Sequence, residues 1–297
     1  MGEKELGIKK GKGKKGIVAS YSCAKRRPQK QLEYSEMNPY LIDEPAVISF
    51  SGGRSSGYML YHILKAHDFK LPSYVKVIFA NTGKEMPQTL DFVRDCEINW
   101  GIDIVWLEYT GKKAFKEVTY NTASREGEPF AQLITDRKYL PNMMARFCTS
   151  ELKVLTINRY MECDDFLTVV GIRGDEQRRV VKMRSKENYA VPLADANVVE
   201  EDIDAFWKSQ DFDLALPPAG VNTLSNCDLC FLKGYSIKQS IVEHNPSMAD
   251  WWVAQEKKIN ARFRSDQPSY EKMQVIASDQ GQLFGFDDTT VSCFCGD

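Results

Sequence analysis

Short apolar, β-branched runs alternate along the chain with longer amphipathic stretches, and the runs end in turns rich in glycine or small polar residues. Ala46-Val47-Ile48-Ser49-Phe50 is the first clear run and reads as a buried strand. A Gly-rich turn follows, and then Tyr58, Met59, Leu60, Tyr61, Ile63 and Leu64 predict an apolar-rich helix. Tyr74-Val75-Lys76-Val77-Ile78-Phe79 predicts a second strand. A strand, a helix and a strand in this order form a crossover unit, so the two strands are expected to be parallel. The pattern repeats through the turn Asn81-Thr82-Gly83, a helix opened by Pro87 and carrying Leu90, Phe92 and Val93, and a strand from Ile102 to Leu107. Farther on, Leu152 to Tyr160 reads as helical, and Phe166-Leu167-Thr168-Val169-Val170 as a fourth strand ending at Gly171.

The fold this predicts is α/β, a doubly wound parallel sheet with helices on both faces. Ligands of such sheets bind beyond the carboxyl ends of the strands. Ser51–Ser56, Asn81–Pro87 and Gly171–Arg179 all fall there. Beyond about Val191 the texture changes to an acidic helix from Glu200 to Lys208, a Pro217-Pro218 break, a cysteine pair, and a helical stretch around Trp251 and Trp252. No internal repeat is visible. The expected division is a basic flexible arm over 1–40, a nucleotide-binding α/β domain over 41–195, and a C-terminal cap with metal-binding cysteines over 196–297 packed on the sheet.

Composition leaves the class unchanged, since 43% hydrophobic and 27% charged residues with a net charge of −2 describe an ordinary globular chain. The charge is unevenly placed, however. Residues 1–30 carry ten Lys or Arg against Glu3 and Glu5, a surplus of +8 that leaves −10 on the rest. Such an arm reads as a solvated tail or as a segment that binds phosphate backbones by releasing counterions. No stretch approaches a membrane span, and the charged N-terminus lacks the apolar core of a signal peptide, so a cytoplasmic protein is expected. In that reducing setting clustered cysteines read as metal ligands or redox groups rather than disulfides.

In Ser51-Gly52-Gly53-Arg54-Ser55-Ser56 the glycines permit positive φ and close backbone approach, so successive N–H groups can point at one anion while the following helix adds its partial positive charge. No Gly-Lys-Ser/Thr closes the loop, so it is not a Walker A loop. Just after the fourth strand, Arg173, Arg178 and Arg179 flank Asp175 and Glu176. An arginine fork suits a phosphate or sulfate, and a carboxylate beside it suits Mg²⁺ or a base; the alternative is a surface ion-pair cluster. Cys227-Asp228-Leu229-Cys230 and Cys293-Phe294-Cys295 are the informative cysteine pairs. Zinc and a [4Fe–4S] cluster both accept four thiolates, and spacing leaves the choice open.

Ser51–Ser56 resembles the SGGxDS phosphate loop of the N-type ATP pyrophosphatases, and the chain is similar to their phosphoadenosine-phosphosulfate (PAPS) reductase branch, with its adenine nucleotide alpha hydrolase-like fold. Asn81–Thr89 resembles that branch's second-strand turn, and Arg146-Phe147-Cys148-Thr149 with Lys153 and Gly171–Arg179 resemble its substrate-side segments. One departure is that Ser55 stands where the family usually has Asp. The resemblance implies that Ser51, Gly52, Gly53, Arg54, Ser55, Ser56, Asn81, Thr82 and Gly83 hold the nucleotide, with Arg173, Asp175, Arg178 and Arg179 catalytic. It implies ATP with Mg²⁺, and an iron–sulfur cluster on Cys148, Cys227, Cys230 and Cys293, Cys295 replacing Cys293 or acting as a free sulfur-carrying thiol; zinc is the alternative. The implied activity is that of an ATP pyrophosphatase and sulfurtransferase that adenylates a substrate. The partners this implies are a tRNA or DNA acceptor and a cysteine desulfurase donor, with homo-oligomerisation left open. A PAPS or adenylylsulfate reductase is the alternative activity, and a non-catalytic, zinc-stabilised nucleotide-binding protein a third.

Overall fold

The computed structural model describes residues 38–161, 165–216 and 227–279. Pro217-Pro218, Cys293, Cys295 and nearly all of the basic arm lie outside the described residues. Six strands form one sheet: β1 (Ala46–Ser49), β2 (Val75–Asn81), β3 (Ile104–Gly111), β4 (Ala114–Val118), β5 (Leu167–Val170) and β6 (Tyr189–Ala190), in the spatial order β4-β3-β2-β1-β5-β6. All neighbours pair in parallel except β3 and β4, which form an antiparallel hairpin at one edge. The doubly wound α/β sheet expected from the sequence is therefore present, with one antiparallel edge strand added.

Burial on both faces explains why the central strands read as continuous apolar runs. In β1, Ala46, Val47 and Ile48 are all fully buried. Ile48, Val77, Phe79 and Trp106 face one side, where they pack with α1 (Arg54–Ala66) and α2 (Pro87–Trp100). Val47, Ile78, Ala80 and Leu107 face the other, against Ile157 and Phe166. Ile157 belongs to α4 (Leu155–Met161), which a π-helical stretch, Thr149–Val154, precedes. The helical stretch expected over Leu152–Tyr160 is present, as two helical types in series.

Helix α3 (Glu128–Arg137) connects the hairpin to this π-helical stretch. After β5 come α5 (Gln177–Arg184), α6 (Pro192–Asp195) and α7 (Glu200–Lys208). Helix α7 packs on α1: Trp207 donates its indole N–H to the Arg54 carbonyl at 3.0 Å and lies over Gly57, where an added Cβ would come within 2.7 Å of the indole ring. The last helices, α8 (Tyr235–His244), α9 (Asp250–Ile259) and α10 (Tyr270–Asp279), form a second apolar core. That core includes Cys227–Leu232 and reaches the sheet through Phe130 and Leu133 of α3 and Tyr109 of β3. No helix among the described residues is long and apolar enough to cross a membrane.

Candidate functional site

The chain leaves β1 and turns through Ser51–Gly53 into α1. Gly52 has φ 74°, and a Cβ there would lie 2.7 Å from Thr89 Cγ2, so both conformation and space demand glycine. Ser51 and Ser56 share a hydroxyl contact of 2.9 Å, and the Ser56 hydroxyl donates to the Gly53 carbonyl at 2.8 Å. Gly53, at the N-cap, has no side chain to cap α1, and Ser56 Oγ accepts from the Gly53 N–H at 3.3 Å, while the first helical turn faces the carboxyl end of the sheet.

Strands β1 and β5 are neighbours, and the chain winds outward from them in opposite directions, so the crevice at their carboxyl ends is the switch point of the sheet. The loop after β5 enters it directly. A Cβ on Gly171 would stand 2.9 Å from Ser56 Cα and 3.1 Å from Ser56 N. Two of the segments singled out by sequence thus meet backbone to backbone.

The charged side chains of these segments are more committed than the sequence suggested. Arg54 donates its Nε–H to Asp213 at 2.8 Å and an Nη1–H to Asp204 at 2.8 Å, with a second bond to Asp213. Two carboxylates, from α7 and the segment after it, thus hold the Arg54 guanidinium. Arg173 forks onto Asp175 at 2.9 and 3.0 Å and reaches Glu200 at 3.1 Å, while Arg179 pairs with Glu176 at 2.5 Å. Arg178 lies exposed on α5. The arginine cluster is an ion-pair network in this state. Hydrogen bonding from Arg173 holds the Asp175 carboxyl below the usual range, so Asp175 is a weak base and an ionised carboxylate at neutral pH.

At the end of β2 the turn is built almost entirely from its own buried polar groups. Asn81 donates to Glu108 at 2.7 Å and to the Ser124 carbonyl at 2.9 Å, and its Oδ1 accepts from Gly83 N–H at 3.0 Å. Thr82 donates to Glu85 through N–H at 3.0 Å and through its hydroxyl at 2.8 Å. Gly83 has φ 78°, and a Cβ there would strike Ser124 Oγ at 2.5 Å. Asn81, Thr82 and Glu85 therefore shape the turn, and the N–H groups of Thr82, Gly83 and Lys84 are all bonded within it. Sequence reasoning did not single out Glu108, which is fully buried and also binds Ser124 N–H at 2.6 Å and Lys116 at 3.0 Å. A lone acidic residue inside an apolar strand was its only signal. Lys153, from the π-helical stretch, approaches Glu85 at 3.7 Å and joins the substrate-side segment to this turn.

Cys227 and Cys230 are buried in the second core, and Cys148 packs against the same cluster. Among the described residues no three His, Cys, Asp or Glu side chains are gathered closely enough to hold a metal ion. Buried charges of both signs surround them: Lys233, Lys238 and Arg264 are all at most 5% exposed, Arg264 is paired with Asp266, and Asp228 and Glu256 are buried nearby. Burial, and then the Arg264 guanidinium, pull the Lys238 ammonium down to about 8, while Cys230 acts on it in the opposite sense. Paired loops at the switch point of a doubly wound sheet are the place where proteins of this α/β class bind their ligands.

Residues 45–191 match the phosphoadenosine phosphosulfate reductase domain, which belongs to the adenine nucleotide alpha hydrolase-like superfamily. It is similar to the nin region protein ORF290 of Escherichia phage lambda, 33% identical over 203 residues that cover 63% of this chain and 66% of the phage protein. It is also similar to protein MJ0066 of Methanocaldococcus jannaschii, 30% identical over 151 residues that cover 50% of this chain and 27% of the archaeal one. The matches thus span just under two thirds of one relative and about a quarter of the other.

Proposed function

We propose that the protein binds ATP with Mg²⁺ at the switch point, adenylates a substrate by attack on the α-phosphate with loss of pyrophosphate, and exchanges AMP for sulfur. The observation that carries this is the close backbone approach of Gly171 to Ser55 and Ser56, which brings the loops after β1 and β5 together at the first turn of α1. The N–H groups of that turn and the Ser55 hydroxyl would hold the phosphates, joined by the Ser51 and Ser56 hydroxyls once the ligand displaces their present bonds. Asp175, kept ionised by Arg173, would sit beside Mg²⁺, and ATP would draw Arg173, Arg178 or Arg179 from carboxylate to phosphate as charge develops. Catalysis of this kind rests on positioning and charge neutralisation.

Cys148, Cys227 and Cys230 suit an iron–sulfur cluster in donor type, and Lys233, Lys238 and Arg264 supply the buried positive charge that an anionic thiolate centre requires. A bound cluster would supply sulfur binding or electron transfer. Cys293, the fourth ligand proposed, lies outside the described residues. A nucleic acid acceptor such as tRNA or DNA, and a cysteine desulfurase as donor, accord with the basic residues at 1–30.

The test is product analysis. ATP-dependent release of pyrophosphate with formation of AMP supports the proposal. Reductant-dependent release of sulfite from PAPS, without ATP, would replace it by the reductase reaction that the family match favours. Anaerobic purification should yield a brown protein whose iron content falls in Cys227→Ala; zinc alone, or unchanged metal content, refutes the cluster assignment.

A further inference from the structure

The nucleotide turn and the cysteine turn are far apart in sequence, yet they are joined by every kind of contact available to them. Glu85 and Cys227 form an isolated antiparallel β-bridge, and Asp228 N–H donates to the Lys84 carbonyl at 2.6 Å. The Lys84 ammonium meets the Asp228 carboxylate at 2.8 Å, with side chains only 9% and 7% exposed. Trp252 donates its indole N–H to the same carboxylate at 2.9 Å, and Lys84 lies 5.5 Å from the Trp251 ring centre. The Lys84 stem also fills the space above Gly127, where a Cβ would come within 2.7 Å of its Cδ. Thr82, whose hydroxyl binds Glu85, stands 3.6 Å from the Cys227 sulfur.

We infer that Lys84 and Asp228 are a positioning pair that makes the Cys227–Cys230 turn part of the wall of the nucleotide site, so that the state of the cysteines and the occupancy of the nucleotide turn are thermodynamically linked. Neither charge can leave the other without standing unpaired in a nearly dry environment. A displacement of one turn is therefore transmitted to the other rather than absorbed between them. Linkage is reciprocal, so nucleotide binding must constrain the cysteine turn as much as that turn constrains the nucleotide. This inference rests on the adenine nucleotide occupying the turn at Asn81–Glu85, as proposed above.

The experiment uses the full chain and ATP itself. Asp228→Asn, on the cysteine turn, should weaken ATP binding by about five-fold or more, the lower end of ordinary coupling. In the wild type, saturating ATP should slow amide hydrogen exchange at Asp228, Leu229 and Cys230. Val253→Ala, in the same apolar core, serves as the control for general destabilisation: it should bind ATP within about two-fold of wild type and keep the slowing of exchange by ATP. ATP that binds without altering exchange at residues 228–230 overturns the coupling, as does an Asp228→Asn protein that binds ATP within about two-fold of wild type. If Asp228→Asn does not fold, the wild-type exchange measurement decides alone. If the wild type binds no ATP, the proposed function falls and the coupling is judged separately. Faster exchange at Thr82, Gly83 and Lys84 in Asp228→Asn than in Val253→Ala then sustains it, and equal exchange overturns it.

Discussion

Gly171→Ala is the most direct test of whether the loops after β1 and β5 form one site. The added methyl would lie 2.9 Å from Ser56 Cα, 3.1 Å from Ser56 N and 3.3 Å from Ser55 C, all of them backbone atoms that cannot rotate away. Ordinary carbon contacts begin near 3.4 Å, so the start of α1 must retreat by about 0.5 Å from the end of β5. It cannot retreat freely, because Gly57 on the same helix is pressed by Trp207 and Gly52 by Thr89. Overpacking of this kind costs about 1–3 kcal/mol, to be read from the urea midpoint at unchanged slope. The consequence for ATP should be larger in proportion, since the amides of that turn would move relative to the phosphates; we expect affinity to fall by about ten-fold or more, the loss from roughly 1.4 kcal/mol. Adding Ser56→Gly should not rescue the variant, because the contact is with the Ser56 main chain. A Gly171→Ala protein within about 0.5 kcal/mol of wild type, with unchanged ATP affinity, would refute the account of the two loops as one site.

Three further outcomes follow from the charged groups. Lys84→Met should destabilise by about 3–5 kcal/mol, because it strands the buried Asp228 carboxylate, and Lys84→Met with Asp228→Leu should recover most of that loss; equal stability of the single and double variants in urea would refute it. Arg54→Ala should cost about 1–2 kcal/mol by unpairing Asp204 and Asp213 where α1 meets α7, with ATP affinity little changed. A large loss of affinity at full stability would show instead that the guanidinium leaves its carboxylates for the nucleotide. Asp175, whose folded pKa is depressed, contributes stability that is present above the unfolded carboxylate value and lost as pH falls through the lower folded one. Asp175→Asn should therefore differ from wild type by under about 1 kcal/mol at neutral pH, in keeping with its exposure, and the difference should vanish in strong acid; a difference that persists there contradicts the Arg173 pairing.

The central architecture was legible because its strands are buried on both faces. Ala46–Phe50, Tyr74–Phe79 and Phe166–Val170 are apolar runs that no solvent-facing strand would carry, and the turns that end them are rich in glycine and small polar residues. Helix α7 was read to its observed limits, Glu200 to Lys208, since its acidic first turn and apolar Ile203 and Trp207 mark a helix start and a buried face. Edge strand β4 was not read, because Ala114–Val118 is mostly exposed and has no apolar signature. The π-helical turn at Thr149–Val154 also escaped, since π and α helices differ in backbone register rather than in composition.

The sequence by itself determined the doubly wound sheet, the order of its elements and the loops at its carboxyl edge, because hydrophobic periodicity and glycine placement are local properties of the chain. Tertiary structure alone decided what the charged residues do. Arg54 is drawn to Asp204 and Asp213, Arg173 to Asp175 and Glu200, and Lys84 to Asp228, and all but one of these partners lie at long sequence distance. Pairing of charges depends on which surfaces the fold brings within a few ångströms of one another, and no periodicity along the chain encodes that. The joining of the turn after β2 to the cysteine turn through Lys84 and Asp228 is the clearest instance, for it exists only where strand β2 and the C-terminal core meet.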